Sequence, residues 1–411
     1  MKAETTMPWK VSSVLKERIR FVTEWESQDW SLAELCRDYG ITRSTGYKWL
    51  ARYELSGLTA LEDKSRAAHE HRNQTSEEVQ EMILELREKH TRWGARKIRT
   101  MLERSAGTGE YKVPATSTIG VILKQYGLTV ARKKRPRAEP SPQPLAPAGR
   151  ANALWCIDFK GWFRTGDGKR CDPLTITDRY SRYLLRCQGV GAADTIHTRA
   201  VLEGAFREYG LPERMRSDNG APFGSNGRGG LTALAVWWMR LGIQPERIQP
   251  GRPQQNGSHE RMHLTLGQET ASPSAGSLRS QQQRFDAFRQ EYNHERPHEG
   301  LQMATPAEHY EPSTRPYPRR LPEPAYPGWE VRSVGRSGQF KFSVKDVFVS
   351  HALAGESIGL QPLHSDQERY WRVYFMKYDL GVLDRKTSRI WTPAEWEKCQ
   401  ADSASGTTET T

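Results

Sequence analysis

Three acidic residues in the middle of the chain stand where predicted strands and a predicted helix would bring functional side chains together. Asp158 lies inside a predicted strand, Asp218 directly follows another, and Glu260 lies on a predicted helix that begins after a Pro-Gly turn. Side chains alternate between the two faces of a strand, so Asp158 faces away from the apolar Ile157 and Phe159. We therefore treat these three carboxylates as candidate catalytic residues and metal ligands.

Carboxylates of this kind suit hard divalent cations. Mg²⁺ takes oxygen ligands and usually only one or two protein carboxylates, which leaves positions for water and substrate oxygens. Two cations roughly 3.5–4 Å apart can stabilise both the entering and the leaving oxygen when a phosphodiester is attacked. Gathered carboxylates without a cation repel one another and raise each other's pKa. The expected cofactor is therefore Mg²⁺ or Mn²⁺, as two ions, and the expected substrate is a phosphodiester.

The overall charge agrees with a nucleic-acid partner. The 411 residues include 61 Lys and Arg against 49 Asp and Glu, a formal net charge of +12. Basic side chains that meet phosphates release condensed counterions, which favours polyanions, although a surplus of this size also aids solubility alone. No run approaches the roughly 20 apolar residues needed to span a bilayer, and the first residues lack the apolar run of a secretory signal. We expect a cytoplasmic, nucleoid-associated protein that binds double-stranded DNA and no membrane.

Strand and helix patterns alternate around the three acidic residues, from residue 151 to residue 310. Strands are predicted at 155–163, near 173–178, at 182–190, 214–217 and 243–248, and helices near 194–209, at 231–241 and around Glu260. This order predicts a mixed α/β sheet covered by helices. Asp178 and Asp167 are nearby carboxylates that could be mistaken for the first ligand, and Asp178, which stands at a strand end, is expected to be structural. Core packing is expected for four tryptophans, Trp155, Trp162, Trp237 and Trp238.

Five segments of this region match one known pattern. They are residues 155–158 (WCID), 217–223 (SDNGAPF), 251–260 (GRPQQNGSHE), 292–298 (YNHERPH) and 305–307 (TPA).

Together these segments resemble the catalytic core of the retroviral integrase and DDE transposase superfamily, which has an RNase H-like fold, and the end of the core in bacterial insertion-sequence transposases. The resemblance implies that Asp158, Asp218 and Glu260 form the metal-binding triad. It also implies cleavage at the ends of a mobile element, strand transfer into target DNA, and a dimer or larger assembly on DNA. Glu260 lies 42 positions after Asp218, more than is typical, and the glycine-rich segment 224–230 accounts for the extra length. The zinc module of retroviral integrases has no counterpart.

The N-terminal part, residues 10–60, has a helix-turn-helix pattern. A capping-box start at Ser31 and Glu34 opens one helix, Gly40 ends it, and a second helix begins near Thr42. The alternative is a helical hairpin with a solvated basic face. The candidate DNA contacts of the second helix are Arg43, Ser44, Thr45, Lys48 and Arg52.

Two further segments precede the core. Residues 72–130 predict a second, winged helix-turn-helix module with helices near 94–104 and 115–126; its candidate DNA contacts are Lys97, Arg99, Ser117, Thr118 and Lys124. Residues 131–150 form a basic, proline-rich linker, interpreted as a strap along the DNA backbone rather than a nuclear-localisation signal or a plain tether. Its candidate contacts are Arg132, Lys133, Lys134 and Arg135. A further phosphate contact is predicted at Arg252, which precedes the helix of Glu260.

Beyond the core, residues 325–391 show period-two patterns separated by glycine turns, which predict a small β-barrel, and residues 401–411 are expected to be disordered. The fold class is therefore multidomain: all-α helix-turn-helix modules, a central α/β RNase H-like core with a mixed sheet, and a C-terminal small β-barrel.

One short motif permits a different function. Residues 259–263 read His-Glu-Arg-Met-His, the H-E-x-x-H pattern of zinc metalloproteases, in which two histidines one helical turn apart bind zinc and the glutamate acts as base. That hypothesis leaves Asp158 and Asp218 unexplained, and we expect the histidines to be flanking helix residues near DNA. The remaining alternative is an inactive or domesticated element that binds DNA as a regulator.

Overall fold

The computed structural model describes residues 13–63, 74–107, 111–129, 147–225, 230–249, 255, 257–364 and 367–405. The predicted contacts Arg132, Lys133, Lys134, Arg135 and Arg252 lie outside these residues. No helix within the described ranges is long and apolar enough to cross a membrane. The chain divides into two compact units, residues 1–76 and residues 77–411, which we describe separately.

The first unit is a three-helix module closed around a small apolar core. The predicted capping box forms: the Ser31 side chain accepts from the Glu34 backbone N–H, and the Glu34 carboxylate accepts from the Ser31 backbone. A Cβ at Gly46 would lie only 2.5 Å from Cys36 Sγ, so glycine is what allows the last two helices to approach. The helices are α1 (Val14–Glu26), α2 (Leu32–Asp38) and α3 (Arg43–Ser56).

The second unit begins with another helical module, α4 (Glu77–Lys89), α5 (Ala95–Ser105) and α6 (Thr116–Gln125). Its core includes Trp93, which is 1% exposed. The module packs against the end of the central domain: Arg104 forms an ion pair of 3.0 Å with Glu308, and Lys89 forms one of 3.3 Å with Glu295. The helical module and the central domain are thus joined by direct contacts within this unit.

The central domain is built on the predicted mixed sheet. Strand β1 pairs antiparallel with β3 and parallel with β5, and β5 pairs parallel with β6. The path β2-β3-β1-β5-β6 is completed by β4, which pairs with β3. The strands are β1 (Leu154–Phe159), β2 (Phe163–Arg164), β3 (Arg170–Asp178), β4 (Leu184–Val190), β5 (Arg214–Ser217) and β6 (Gln244–Arg247).

Helices cover both faces of this sheet. On one face, Trp155 and Ile157 of β1 share a core with α7 and α8. On the other, Cys171 of β3 and Leu184 of β4 share a core with α9 and α10. Because side chains alternate along β1, Asp158 is on the face of α9. The helices are α7 (Thr195–Tyr209), α8 (Ala233–Arg240), α9 (Gly257–Thr270) and α10 (Leu278–Gln290).

The segment 292–298 connects the helices α9 and α10 to the sheet through hydrogen bonds and ion pairs. The Asn293 carboxamide accepts from the backbone N–H of Leu184 at 2.8 Å and donates to its carbonyl at 3.0 Å. Arg296 is 5% exposed and pairs with Glu269 at 2.6 Å and with Glu291 at 3.1 Å. The segment 292–298 therefore stabilises the position of α9, the helix that carries Glu260.

The C-terminal region contains an antiparallel sheet in the order β13-β12-β11-β10-β7 and a separate hairpin of β8 and β9, with a shared apolar core. Among the described strands this sheet is open, so closure into a barrel stays a prediction. The strands are β7 (Glu330–Ser333), β8 (Gln339–Phe342), β9 (Lys345–Phe348), β10 (Ser357–His364), β11 (Gln367–Phe375), β12 (Tyr378–Asp384) and β13 (Arg389–Trp391).

The prediction of disorder was wrong for residues 401–405, because helix α11 (Pro393–Ser405) extends through them. The helix has a strong start: the Thr392 backbone donates to Glu395 Oε2 at 2.8 Å, and the Glu395 backbone donates to Thr392 Oγ1 at 3.3 Å. Residues 406–411 lie outside the described part of the chain.

Candidate active site

Asp158 and Asp218 are placed side by side by two parallel strands. In the register of β1 and β5, Cys156 is paired with Arg216. Asp158 follows Cys156 by two residues, and Asp218 follows Arg216 by two residues. Parallel strands end at the same edge of a sheet. Sequence positions 60 residues apart therefore meet at one edge.

The Asp158 carboxylate lies in an environment that opposes its charge. Its side chain is 21% exposed. Burial, then the neighbouring Asp218 carboxylate, and then that of Glu260 raise the pKa of Asp158 to about 7. All three predicted residues are therefore close enough for their charges to interact.

Asp218 carries an oxygen without a hydrogen-bond partner. Its Oδ1 is buried and receives no hydrogen bond from the described residues. Burial raises the pKa of Asp218, and a hydrogen bond from the Gly220 backbone opposes that rise. A buried carboxylate oxygen left unpaired is costly unless a cation or another donor reaches it.

Glu260 approaches from the first turn of α9, and its side chain is exposed. Its position depends on Gln255, whose side chain accepts from the Gln249 backbone at 2.8 Å and whose carbonyl accepts from Arg216 Nη1 at 3.2 Å. The strand of Asp218 thereby holds the segment that leads into the helix of Glu260.

Asp178 and Asp167 have other partners. Asp178 is fully buried and accepts from the Asn152 backbone at 2.8 Å, the Ser181 backbone at 2.8 Å and Ser181 Oγ at 2.7 Å. Asp167 accepts from Thr165 Oγ1 at 2.5 Å in a surface turn. Both carboxylates therefore accept hydrogen bonds away from Asp218 and Glu260, which supports a structural role for Asp178.

His259 and His263 face the sheet rather than solvent. His259 is 2% exposed, and the Nε2 atoms of both rings lie 2.7 Å from Thr175 Oγ1. Ligand atoms of Asp158, His259 and His263 lie within 4.8 Å of one another. The prediction that these histidines lie near DNA as flanking residues missed their contact with Asp158. The i, i+4 spacing of the two histidines was the available signal.

Lys160 is a second residue that the sequence did not single out. It lies two residues after Asp158, hence on the same side of the sheet. A Cβ at Gly267 of α9 would be 2.4 Å from Lys160 Cε, so the glycine provides the space that the lysine side chain occupies. Within the described ranges, the Lys160 ammonium forms no ion pair with an acidic side chain.

The predicted DNA contacts of α3 and α6 are at the surface. Arg43, Ser44 and Lys48 are exposed, Thr45 and Arg52 are partly exposed, and Ser117, Thr118 and Lys124 are exposed.

Two predictions on side-chain placement differ from the structure. Lys97 is partly buried, and burial with the positive charge of Arg296 lowers its pKa to about 8. Trp162 is 55% exposed, and Arg170 lies 5.2 Å from its ring centre, so its predicted core packing was wrong. Trp162 precedes the two-residue strand β2 at the edge of the sheet, and this position leaves it without a covering layer. The other three tryptophans are buried as predicted.

Four family models match the chain. Two are described as integrase core domains and match residues 148–253 and 241–306. The others are a helix-turn-helix domain at residues 17–69 and a homeodomain-like domain at residues 45–123. The matches thus cover both helical modules and the central domain.

Two curated relatives come from insertion elements. The insertion element IS407 uncharacterized 31.7 kDa protein of Burkholderia multivorans is 27% identical over 228 residues, covering 55% of this chain and 78% of the relative. The insertion element IS476 uncharacterized 39.2 kDa protein of Xanthomonas euvesicatoria is 26% identical over 231 residues, covering 55% of this chain. The match spans 62% of that second relative, less than two thirds of its length.

Two solved structures are similar at low scores. The HTLV-2 integrase catalytic core domain in complex with magnesium (trimeric form) is 12% identical, covering 40% of this chain and 100% of that one, with a TM-score of 0.32. A simian T-cell lymphotropic virus intasome in complex with a PP2A regulatory subunit is 16% identical, covering 72% and 97%, with a TM-score of 0.36. No structural conclusion follows from scores below 0.5.

The two integrase core matches, the helix-turn-helix matches and the insertion-element relatives agree with one another. The chain therefore contains regions similar to helix-turn-helix domains and to integrase core domains, and it is similar to proteins of two insertion elements.

Proposed function

We propose that this protein is the transposase of an insertion sequence, that Asp158, Asp218 and Glu260 bind two divalent cations, Mg²⁺ or Mn²⁺, and that these act in DDE-type cleavage and joining of DNA. The supporting observation is the register of β1 and β5, which puts two aspartates at one edge, one of them with an unpaired buried oxygen. Burial, and after it the charge of Asp218, raise the pKa of Asp158, and a bound cation would stabilise the ionised carboxylate against both. The residues present fit the oxygen-rich ligand set that these metals prefer.

The chemistry consists of two transfers at phosphorus. In the first, water attacks the phosphorus at the element end, the bond to the 3′ oxygen breaks, and a free 3′-OH results. In the second, that 3′-OH attacks a phosphorus of target DNA and displaces another 3′ oxygen. Bound cations would stabilise the charge that builds on the oxygens in both reactions.

The protein residues hold and orient these groups. Asp158 and Asp218 supply ligands from the rigid edge of the sheet, and Glu260 supplies one from the first turn of a helix. Lys160, on the same face as Asp158, is in a position to pair with a DNA phosphate. An unpaired ammonium beside an acidic site offsets part of the repulsion between carboxylates and phosphates.

DNA binding is assigned to the basic surfaces of the helical modules. Phosphates and base edges would be contacted from α3 and α6, the linker would follow the backbone, and Arg252 would contact a phosphate near α9. Joining two element ends requires a dimer or larger assembly, and a C-terminal β-barrel would hold DNA or a second protomer. The proposed contacts are Arg43, Ser44, Thr45, Lys48, Arg52, Ser117, Thr118, Lys124, Arg132, Lys133, Lys134, Arg135 and Arg252.

The test is strand cleavage and strand transfer on labelled DNA that carries an element end, with Mg²⁺ or Mn²⁺. Asp158→Asn, Asp218→Asn and Glu260→Gln should each abolish both reactions while DNA binding persists. Asp167→Asn, in a surface turn, is the matched control and should keep activity. Full activity of Asp218→Asn would refute the assignment. Specific DNA binding by the wild type without metal-dependent breakage would instead indicate a DNA-binding regulator.

A further inference from the structure

A histidine nitrogen faces the first proposed metal ligand. His263 Nδ1 lies 3.8 Å from Asp158 Oδ2, and the His263 side chain is 11% exposed. The two residues come from different elements, α9 and β1. Neither belongs to a turn that would bring them together for local reasons.

The hydrogen bonds of Thr175 fix which nitrogen of His263 carries the proton. Thr175 Oγ1 contacts the Asp158 carbonyl at 3.2 Å and the Nε2 atoms of His259 and His263 at 2.7 Å each. A hydroxyl has one proton and two lone pairs, and a carbonyl can only accept. All three contacts are hydrogen bonds only if Thr175 donates to the carbonyl and both histidines donate from Nε2.

The remaining nitrogens then carry lone pairs. In this arrangement Nδ1 of His259, which is 2.9 Å from Thr177 Oγ1, accepts a hydrogen bond from that hydroxyl. Within the described part of the chain, Nδ1 of His263 receives no such hydrogen bond, so a lone pair is available on the atom that lies 3.8 Å from Asp158 Oδ2.

Two acceptors that face each other can share a cation in place of a proton. Ligand oxygens and imidazole nitrogens lie about 2.1 Å from cations of this class, so a shared cation can bridge atoms up to about 4.2 Å apart. The observed separation of 3.8 Å falls within that limit.

We propose that His263 is a nitrogen ligand of the cation held by Asp158, so that this site binds transition-metal dications such as Mn²⁺ and Co²⁺ in preference to Mg²⁺. The inference rests on the proposed function in one respect, that Asp158 holds a metal. An imidazole ligand favours transition metals, whereas Mg²⁺ prefers oxygen. His259 has both nitrogens engaged by threonines and is therefore not a ligand in this proposal.

The experiment measures metal binding, without DNA. Full-length protein labelled with ¹⁵N-histidine is loaded with Mn²⁺ alone, and pulsed EPR records the nuclei coupled to the metal. A histidine nitrogen coupling is expected in the wild type. It should disappear in His263→Leu, with Mn²⁺ affinity reduced at least about tenfold and Mg²⁺ affinity, measured by competition, changed much less.

His259→Leu is the matched control, because it removes a neighbouring buried imidazole of the same helix and should keep the nitrogen coupling. Circular dichroism checks that each variant is folded. If His263→Leu does not fold, the wild-type spectrum still decides: bound Mn²⁺ without a nitrogen coupling overturns the proposal. A coupling that persists in Asp158→Asn also overturns it.

The inference and the proposed function fail in different ways. Loss of cleavage in Asp158→Asn and Asp218→Asn, combined with a wild-type spectrum that lacks nitrogen coupling, leaves the proposed function standing and refutes the role of His263. A nitrogen coupling in the wild type, combined with full cleavage by Asp218→Asn, supports the role of His263 and refutes the proposed function.

Discussion

Arg216 and Glu246 form a buried ion pair of 2.5 Å between the parallel strands β5 and β6. The Arg216 guanidinium, on a residue that is 3% exposed, also donates to the Gln255 carbonyl. Arg216 precedes Asp218 by two residues, and Gln255 precedes α9 by two residues. The Arg216 side chain, which is not a proposed metal ligand, therefore links the strand that leads to Asp218 with the segment that leads to the helix of Glu260.

We expect Arg216→Met to destabilise the protein by about 3 kcal/mol, because it removes the more buried of the two arginines that pair with Glu246 and takes away the hydrogen bond to the Gln255 carbonyl. Cleavage should also fall, since Gln255 loses its link to β5. Thermal unfolding and the cleavage assay measure the two effects. Arg214→Met is the control: Arg214 also pairs with Glu246, at 3.1 Å, but its side chain is 18% exposed and no bond to Gln255 accompanies it. Equal loss of activity in both variants would contradict a role for the Gln255 link.

Substitution of Asp178 should lower stability, whereas substitution of Asp218 should abolish cleavage without lowering stability. Asp178→Ala leaves two buried backbone N–H groups without their acceptor and should cost about 2–4 kcal/mol in the free energy of unfolding. Asp218→Asn should abolish cleavage with an unchanged or higher melting temperature in EDTA, because it removes a carboxylate that repels Asp158. A stable Asp178→Ala variant without activity would indicate that Asp178 is a ligand after all.

Arg296 should be the most sensitive residue of the 292–298 segment. Arg296→Met leaves Glu269 and Glu291 without their shared buried partner, and we expect a loss of about 3–5 kcal/mol in stability. Urea unfolding gives the value. In the control Arg104→Met, which removes an exposed ion pair with Glu308, the change should stay within about 1 kcal/mol. A small effect at Arg296 would show that this network does not secure α9.

Stability should rise with pH through the titration of Lys97. Its folded-state pKa of about 8 is below the value of about 10.4 for an unfolded chain, so between these values the unfolded state binds more protons. The cost of burying the charge is thus fully present below pH 8 and is relieved as the pH rises above it. Glu291, Glu269 and Glu299 oppose this shift, and Arg296 reinforces it.

Lys97→Met should therefore raise the melting temperature at pH 7, with a smaller gain at pH 9.5. The exposed Lys124→Met is the control and should show no such pH dependence. A gain for Lys97→Met that is the same at both pH values would contradict the lowered pKa.

Arg43 and Lys48 are exposed on α3, where they would meet phosphates. Alanine at either position should weaken DNA binding and reduce the slope of log affinity against log salt by about one. Fluorescence anisotropy at several salt concentrations measures both. Lys16→Ala, an exposed residue of α1, is the control. An unchanged slope in both α3 variants would place the DNA on another surface.

Features governed by neighbours along the chain were predictable from the sequence. The capping box at Ser31 formed because its two hydrogen bonds join residues three positions apart. The alternation along β1 correctly put Ile157 in the core and Asp158 on the other face. The prediction of burial failed where tertiary surroundings decide it. Trp162 is of a residue type common in cores, but it precedes an edge strand and is exposed.

The sequence by itself determined which carboxylates are candidates, because strand ends and helix starts are encoded locally. It did not determine which atoms surround them. The contact of His263 with Asp158 joins residues 105 positions apart, and it depends on the pairing of Asp158 with Thr175 between β1 and β3. A register shift of one residue would turn Asp158 to the opposite face, so only the folded sheet decides that a histidine nitrogen, in addition to the Asp218 carboxylate, lies near it.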